Sequence, residues 1–209
     1  MQLNAVEIEG VEQRSEEWYR LRRGRLSGST IGALLGTSSY KNRDSLMSEM
    51  LDELTGNIPE RDENDDMRRG IEWEDAIRDA GVAETFGRGS VALISHTEAF
   101  WLDEAAGICY SPDGLLDMHG HLYLIEVKAP RKLSTFGSIP PWHYPQVALG
   151  MEILRCPACL YIEGLVRDNA LSGLRCVQVD YDPGWWPQVE PLVQDFQNDL
   201  SQALQLRQS

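Results

Sequence analysis

The sequence predicts an α+β fold in which helices pack on one central mixed β-sheet. Up to about residue 86, apolar residues recur every three or four positions, as they do in amphipathic helices. Between residues 90 and 130 they fall in short, often alternating runs, which is typical of strands. The chain has 209 residues, 42% of them apolar, and no internal repeat or interdomain linker. We therefore expect residues 1–209 to form a single domain with one core.

Helix-capping residues divide the first third of the chain. A helix is predicted to begin at Ser15, a good N-cap residue, and to end at Gly24. Ser27 or Ser29 can cap a second helix, which ends at Gly36. Two further helices are predicted at about residues 44–54 and 67–86, separated by a solvated acidic loop at 59–66.

The second half of the chain contains most of the predicted strands. Five of them, expected to form a meander, span residues 90–95, 99–103, 107–111, 114–118 and 121–130. A helix at about 141–154, strands at 159–164 and 174–182, and a long helix after Pro183 complete the fold. We interpret Trp185 and Trp186 as anchors of that last helix; stacking on unpaired bases is the alternative.

The charge distribution is uneven. A net charge of −14 argues, taken alone, against a nucleic-acid partner. Basic residues are clustered, however, so an acidic exterior around a local basic groove would still allow such a partner. The two basic clusters are Arg20, Arg22, Arg23 and Arg25, and Lys128, Arg131 and Lys132.

Composition also bears on the cellular compartment. No apolar run approaches the roughly 18 residues of a membrane span, and residues 1–18 lack the features of a secretory signal. We therefore expect a cytoplasmic protein with reduced thiols. An iron–sulfur cluster or zinc remains an alternative, because the chain contains the pair Cys156 and Cys159 together with Cys109 and Cys176.

The most informative segment is SPDGLLDMHGHLYLIEVKAP, at residues 111–130. A two-residue turn at 119–120 would pair Met118 with His121, and Asp113 would then lie opposite Glu126. Opposed residues on one face have Cβ atoms roughly 5 Å apart, where like charges destabilise the hairpin unless something compensates. A divalent cation would provide that compensation.

The residue types in this hairpin fit phosphodiester hydrolysis. Two carboxylates and a backbone carbonyl suffice for Mg²⁺, a hard cation that keeps several waters, so the predicted ligands are Asp113, Glu126 and the Val127 carbonyl. Lys128 lies on the same face as Glu126 and can orient the attacking water. The alternative is a plain edge hairpin with two solvated acids and a solvent-directed lysine.

Several segments in the same order resemble the family of lambda exonuclease and YqaJ-type viral recombinases. The resemblance covers roughly residues 15–155. It rests on WYRLRRGRLSGSTIGALLGTSSYK (18–41), RRGIEWEDAIRD (68–79), SPDGL (111–115), EVKAP (126–130) and YPQVALGM (144–151).

The resemblance implies a restriction-endonuclease-like PD-(D/E)xK core and a specific activity. That activity is a Mg²⁺-dependent 5′→3′ exonuclease, with Mn²⁺ as a substitute metal, acting on linear double-stranded DNA. It would release 5′-mononucleotides and leave a 3′ single strand for recombination by strand annealing. The implied partners are a single-strand annealing protein and two further copies in a ring-shaped homotrimer. The implied setting is a bacterial cell, with the gene carried by a phage or prophage.

The resemblance also assigns roles to residues outside the hairpin. Glu74 would lie near the metals, and Gln146 would hold the active-site geometry or the scissile strand. A surface acid and a structural amide are the respective alternatives. Arg22, Ser27 and Ser29 would bind the 5′-terminal phosphate, a role that suits hydroxyl groups beside a guanidinium.

Two further arginines are candidates for DNA binding, and two other functions compete with the exonuclease. Arg25 and Arg131 are additional candidates for DNA binding, although Arg25, like Arg20 and Arg23, could equally belong to a solvated face. A restriction-type endonuclease is the main rival enzyme, and it alone would cut a closed circle. A non-catalytic binder of DNA ends is the rival from another class.

Overall fold

The computed structural model describes residues 3–58, 64–118 and 120–208. It has the predicted α+β class, with a five-stranded mixed sheet flanked by helices, and adds a second, four-stranded sheet. His119 of the predicted turn and residues 59–63 of the predicted acidic loop lie outside the described residues.

The order of the elements follows the predicted one, with two additional short strands. The helices are α1 (Glu16–Arg22), α2 (Gly28–Leu34), α3 (Arg43–Leu54), α4 (Asp65–Phe86), α5 (Tyr144–Leu154) and α6 (Trp185–Gln208). The strands are β1 (Val6–Glu7), β2 (Leu26–Ser27), β3 (Ile94–Ser95), β4 (Trp101–Asp103), β5 (Ile108–Tyr110), β6 (Gly114–Met118), β7 (His121–Lys128), β8 (Ala158–Arg167) and β9 (Ala170–Asp180).

The five-stranded sheet has the order β3-β6-β7-β8-β9, and within it only β7 and β8 run parallel. The pairing of β6 with β7 runs from Gly114 opposite Ile125 to Met118 opposite His121, so the predicted hairpin register is confirmed. One step beyond Gly114 and Ile125, this register leads to Asp113 and Glu126.

The predicted meander is wrong. Strands β4 and β5 belong to the other sheet, ordered β1-β4-β5-β2, and β3 pairs with β6 instead of β4. Most of the predicted strand at 90–95 is a 3₁₀ helix, Arg88–Leu93, which follows Gly87 at a φ of +94°. A short apolar run does not distinguish a strand from a helical turn, and alternation does not specify which strands pair.

The two faces of β7 contact different parts of the core, as its alternation predicts. Leu124 lies in a cluster with residues of α2, α5 and α6, whereas Ile125 and Val127 pack in a second cluster with α4. Trp186 is 4% exposed and belongs to the first cluster, and Trp185 packs against it, so the prediction that they anchor α6 is confirmed. In the described ranges no helix has the combination of length and apolarity needed to cross a membrane.

Two glycines allow α4 to approach the sheet closely. A Cβ atom on Gly81 of α4 would lie 2.6 Å from Ile162 Cγ2, and one on Gly164 of β8 would lie 2.3 Å from Ile77 Cγ1. Since real Cβ atoms do not come this close, a larger residue at either position would push the helix away from the strand. This contact fixes the position of α4, and therefore of Glu74, relative to β7.

Candidate active site

Glu126 is the centre of a buried hydrogen-bond network. Its side chain is 1% exposed, and both carboxylate oxygens accept hydrogen bonds. Lys128 Nζ and Gln146 Nε2 donate to Oε1, the latter at 2.5 Å, while the Tyr110 hydroxyl donates to Oε2 at 2.9 Å. Three elements, β5, β7 and α5, therefore hold one carboxylate in a single orientation.

Asp113 directly precedes β6 and lies beside Val127. Its Oδ2 accepts a hydrogen bond from the Val127 backbone N–H at 2.7 Å, and its own carbonyl accepts one from Arg78 Nη1 at 3.2 Å. The N–H and C=O of a strand residue project towards the same neighbouring strand. The Val127 carbonyl is therefore directed to the side of β7 on which Asp113 lies.

Glu74 on α4 faces the same site and is paired with a residue that the sequence analysis did not identify. Arg14 Nη2 lies 3.1 Å from Glu74 Oε2. Burial raises the pKa of Glu74 and is the largest influence, with Arg14 opposing it and the negative charge of Glu126 adding to it. Glu74 and Glu126 thus interact electrostatically although they come from different elements.

The ionisation of the hairpin residues reflects the crowding of acids. Burial, followed by the charge of Glu126, raises the pKa of Asp113 well above its ordinary value. For Lys128, burial alone would lower the pKa, but Glu126 and Asp113 outweigh it and the pKa is raised. The site therefore favours added positive charge, either as protons on the acids or as a cation between them.

The donor set fits Mg²⁺ better than a soft metal. Among the described residues no three His, Cys, Asp or Glu side chains converge as a ready-made cluster. Mg²⁺ does not need one, because one or two carboxylates and retained waters satisfy it. The four cysteines are free and lie in or against three separate apolar clusters, so the four-cysteine alternative is wrong.

A second site of opposite character lies on α1 and the start of α2. Arg22 Nη2 donates to Ser27 Oγ at 2.9 Å and to Ser29 Oγ at 2.8 Å, and its guanidinium lies 4.2 Å from the centroid of the Trp18 ring. The Trp18 indole N–H donates to Ser111 Oγ at 2.8 Å, two residues before Asp113. The structure thus brings together the three residues assigned to a phosphate and links them to the hairpin.

The two sites open into cavities that join. One of about 990 Å³ contains Glu74, Asp113, Glu126, Lys128 and Gln146. One of about 670 Å³ contains the Arg22 site, and its lining has more basic than acidic residues. The residues that line both cavities are Arg14, Ser29, Met67 and Ile71. A continuous groove therefore connects a cationic pocket to an acidic centre.

The other arginine candidates already have acidic partners. Arg25 Nη2 binds both oxygens of Glu104, at 2.6 and 2.7 Å, although it lines the smaller cavity. Arg131 lines the larger cavity and donates to Asp66 Oδ1 at 2.7 Å. Arg20 forms an exposed pair with Glu17, as expected of a solvated face.

The sequence analysis missed three residues that contact the catalytic candidates, namely Tyr110, Arg14 and Arg78. Tyr110 appeared only as part of a strand, and no spacing relates Arg14 to Glu74, which is 60 positions away. One signal was available for Tyr110. It lies three residues before Asp113, in the predicted strand that leads directly into the hairpin.

Comparisons with known proteins agree with this geometry. The model of the YqaJ-like viral recombinase domain matches residues 17–153, a span that includes the Arg22 site, Glu74, the hairpin and Gln146. A comparison with curated proteins finds no match.

Solved structures with the same fold include exonucleases. An alkaline exonuclease from Laribacter hongkongensis, LHK-Exo, has a TM-score of 0.72 at 23% identity, with 93% of this chain and 96% of that chain covered. The complex of LHK-Exo with dAMP has a TM-score of 0.70 at 22% identity, with 92% of this chain and 95% of that chain covered. A phage related exonuclease from Haemophilus somnus 129PT has a TM-score of 0.66 at 15% identity, with 88% of this chain and 96% of that chain covered. At these identities the likeness establishes the fold.

Proposed function

Because the chain belongs to the YqaJ-like viral recombinase family, we propose that it is a Mg²⁺-dependent exonuclease that degrades linear double-stranded DNA in the 5′→3′ direction. One observation carries this proposal. The groove joins an acidic centre containing a lysine to a pocket of one arginine and two serines, so a single strand can contact both. An enzyme that starts at a 5′ end needs this combination.

The acidic residues would hold the metal. Asp113, Glu126 and the Val127 carbonyl would bind one ion, and Asp113 with Glu74 would bind a second, with Mn²⁺ able to replace Mg²⁺. Bound divalent cations would supply an activated water and stabilise charge on the phosphate and the leaving oxygen. Gln146 and Tyr110 keep Glu126 oriented through their hydrogen bonds to its carboxylate.

Lys128 would position the attacking water. Its ammonium contacts Glu126, so it lies at the acidic centre and can donate a hydrogen bond to the incoming oxygen. The water attacks phosphorus in line, its proton passes to solvent, and the bond from phosphorus to the 3′ oxygen breaks. The scissile phosphate stays with the remaining strand, so the products are a 5′-mononucleotide, which keeps the 5′ phosphate it already carried, and a shortened strand with a new 5′ phosphate.

The 5′-terminal phosphate would bind at Arg22, Ser27 and Ser29. A phosphate accepts several hydrogen bonds at once, and a guanidinium beside two hydroxyls offers matching donors. Arg25 and Arg131 would contact the DNA backbone by exchanging Glu104 and Asp66 for phosphates.

The wider setting follows from the family and forms part of the proposal. Residues 1–209 would act as one nuclease domain, in a ring-shaped homotrimer around the duplex. The long 3′ strand would pass to a single-strand annealing protein for recombination in the cytoplasm of a bacterial host, with the gene in a phage or prophage.

The test uses linear duplexes labelled separately at each strand end, with and without a 5′ phosphate, beside a closed circle. With Mg²⁺ we expect the 5′ label to be released as a mononucleotide, faster from phosphorylated ends, while the circle stays intact. Cutting of the circle would instead indicate a restriction-type endonuclease. Binding of ends without any cleavage would indicate a non-catalytic end binder.

A further inference from the structure

Two large aromatic side chains are exposed at the rim of the acidic cavity. Phe136 and Trp142 are each 45% exposed and lie in the segment between β7 and α5. Their ring centroids are 5.5 Å apart, with the planes at 81°. Both line the same cavity as Glu126 and Lys128. We call Phe136 and Trp142 the aromatic pair.

The segment that carries the aromatic pair is tied to the central sheet. Arg175 Nη2 of β9 donates to the carbonyls of Phe136, at 2.7 Å, and Ser138, at 2.5 Å. Glu163 of β8 accepts a hydrogen bond from the Ser134 backbone N–H at 2.8 Å. These side chains hold the backbone, so the rings stay at the cavity instead of collapsing onto the core.

Trp142 also packs against a histidine that is hydrogen-bonded to the sheet. Its ring meets that of His143 edge-on, with centroids 6.0 Å apart, and His143 Nδ1 hydrogen-bonds the Tyr161 hydroxyl at 2.6 Å. Tyr161 donates in turn to Glu163 Oε1 at 3.1 Å. An exposed apolar patch with polar residues around it is typical of a ligand-binding groove.

We propose that the aromatic pair stacks on an unpaired DNA base adjacent to the scissile phosphodiester. This inference rests on the proposed function. It adds that the protein contacts a base of the substrate as well as the phosphates. Every base offers a π-face, so stacking binds DNA without sequence preference. Bases inside a duplex are already stacked on each other. The aromatic pair would therefore select a DNA end whose terminal base is unpaired.

Charge around the aromatic pair favours DNA over an apolar protein partner. Lys132 is exposed, lies four positions before Phe136 in the sequence and lines the same cavity, as does Lys128. A base stacked on the rings would bring its own phosphate towards these cations. An apolar peptide would bring no negative charge to the exposed Lys132.

The experiment measures equilibrium binding to duplex ends in EDTA, so that no cleavage is needed. The probes are 5′-phosphorylated duplexes with a short frayed end, in which one abasic site at a time replaces each of the first six nucleotides of either strand. The proteins are the wild type, Phe136→Ala, Trp142→Ala, Trp142→Phe and the control Leu206→Ala, which removes an exposed side chain from α6.

We expect wild type and Leu206→Ala to lose about tenfold in affinity at one or two abasic positions. Trp142→Ala should bind the intact end about tenfold more weakly and show no further loss at those positions, while Trp142→Phe should keep the abasic penalty. The proposal is overturned if Trp142→Ala binds the intact end as wild type does, or if its abasic penalties equal those of wild type. A failure of the proposed function would appear separately, as wild type that cuts no linear DNA.

Discussion

The two ends of the groove are built in different ways. At the phosphate end, Arg22 bonds to serines only five and seven positions along the chain. At the catalytic end, Glu126 is almost fully buried and takes hydrogen bonds from residues 16 and 20 positions away, besides Lys128. Buried charge is costly unless it is paired and hydrogen-bonded, so the catalytic end needs several elements to meet. At the phosphate end the charged group, Arg22, is only partly buried, and one short segment suffices.

Replacement of Lys128 tests the buried end most severely. Lys128→Ala should lower kcat by about 10²–10³-fold, since it removes a preorganised positive charge from the acidic centre. Binding of duplex ends, measured in Ca²⁺ or EDTA, should persist because the Arg22 pocket is intact. Near-normal turnover in this variant would remove Lys128 from the mechanism.

Replacement of Arg22 tests the phosphate end. Arg22→Ala should weaken the use of 5′-phosphorylated ends by about 10–100-fold, the value of a charge-assisted hydrogen bond, and leave 5′-hydroxyl ends nearly unchanged. Arg20→Ala is the matched control, because the Arg20 side chain forms an exposed pair with Glu17, which is worth little. Equal losses on both kinds of end would rule out the phosphate pocket.

At the catalytic end, the burial of His143 makes stability depend on pH. Burial, with help from Lys128, lowers the pKa of His143 to about 3, below the ordinary value of 6.5. Between those values the unfolded chain binds more protons than the folded one, so stability is lost as the pH falls below 6.5.

His143→Asn removes this titration and can keep a hydrogen bond to Tyr161. Relative to the variant, wild type should lose about 2 kcal/mol of unfolding free energy between pH 7 and pH 5, measured by urea denaturation. Parallel pH profiles for the two proteins would contradict a buried, neutral His143.

Tyr110 gives the smallest expected effect. Tyr110→Phe removes one of the hydrogen bonds to Glu126 without leaving a cavity, and should cost about 1 kcal/mol of stability. Its effect on turnover should exceed that of Tyr181→Phe, a control that removes an exposed hydrogen bond to Glu152. If turnover is equal in both variants, the orientation of Glu126 does not depend on Tyr110.

The sequence alone determined much of the catalytic hairpin. A two-residue turn and a period of two fix which residues face each other, so the pairing of β6 with β7 and the common face of Glu126 and Lys128 could be predicted. Arg22, Ser27 and Ser29 lie close together in the sequence, but their assignment to a phosphate came from family resemblance.

Only the tertiary structure decided which strands share a sheet and which distant side chains complete the site. The split of the predicted meander into two sheets, the contact of Tyr110 with Glu126 and the pairing of Arg14 with Glu74 all depend on packing between elements far apart in the chain. Hydrophobic periodicity specifies which face of an element is buried, because that is a local property. It does not specify the partner of that face, because apolar burial has no direction.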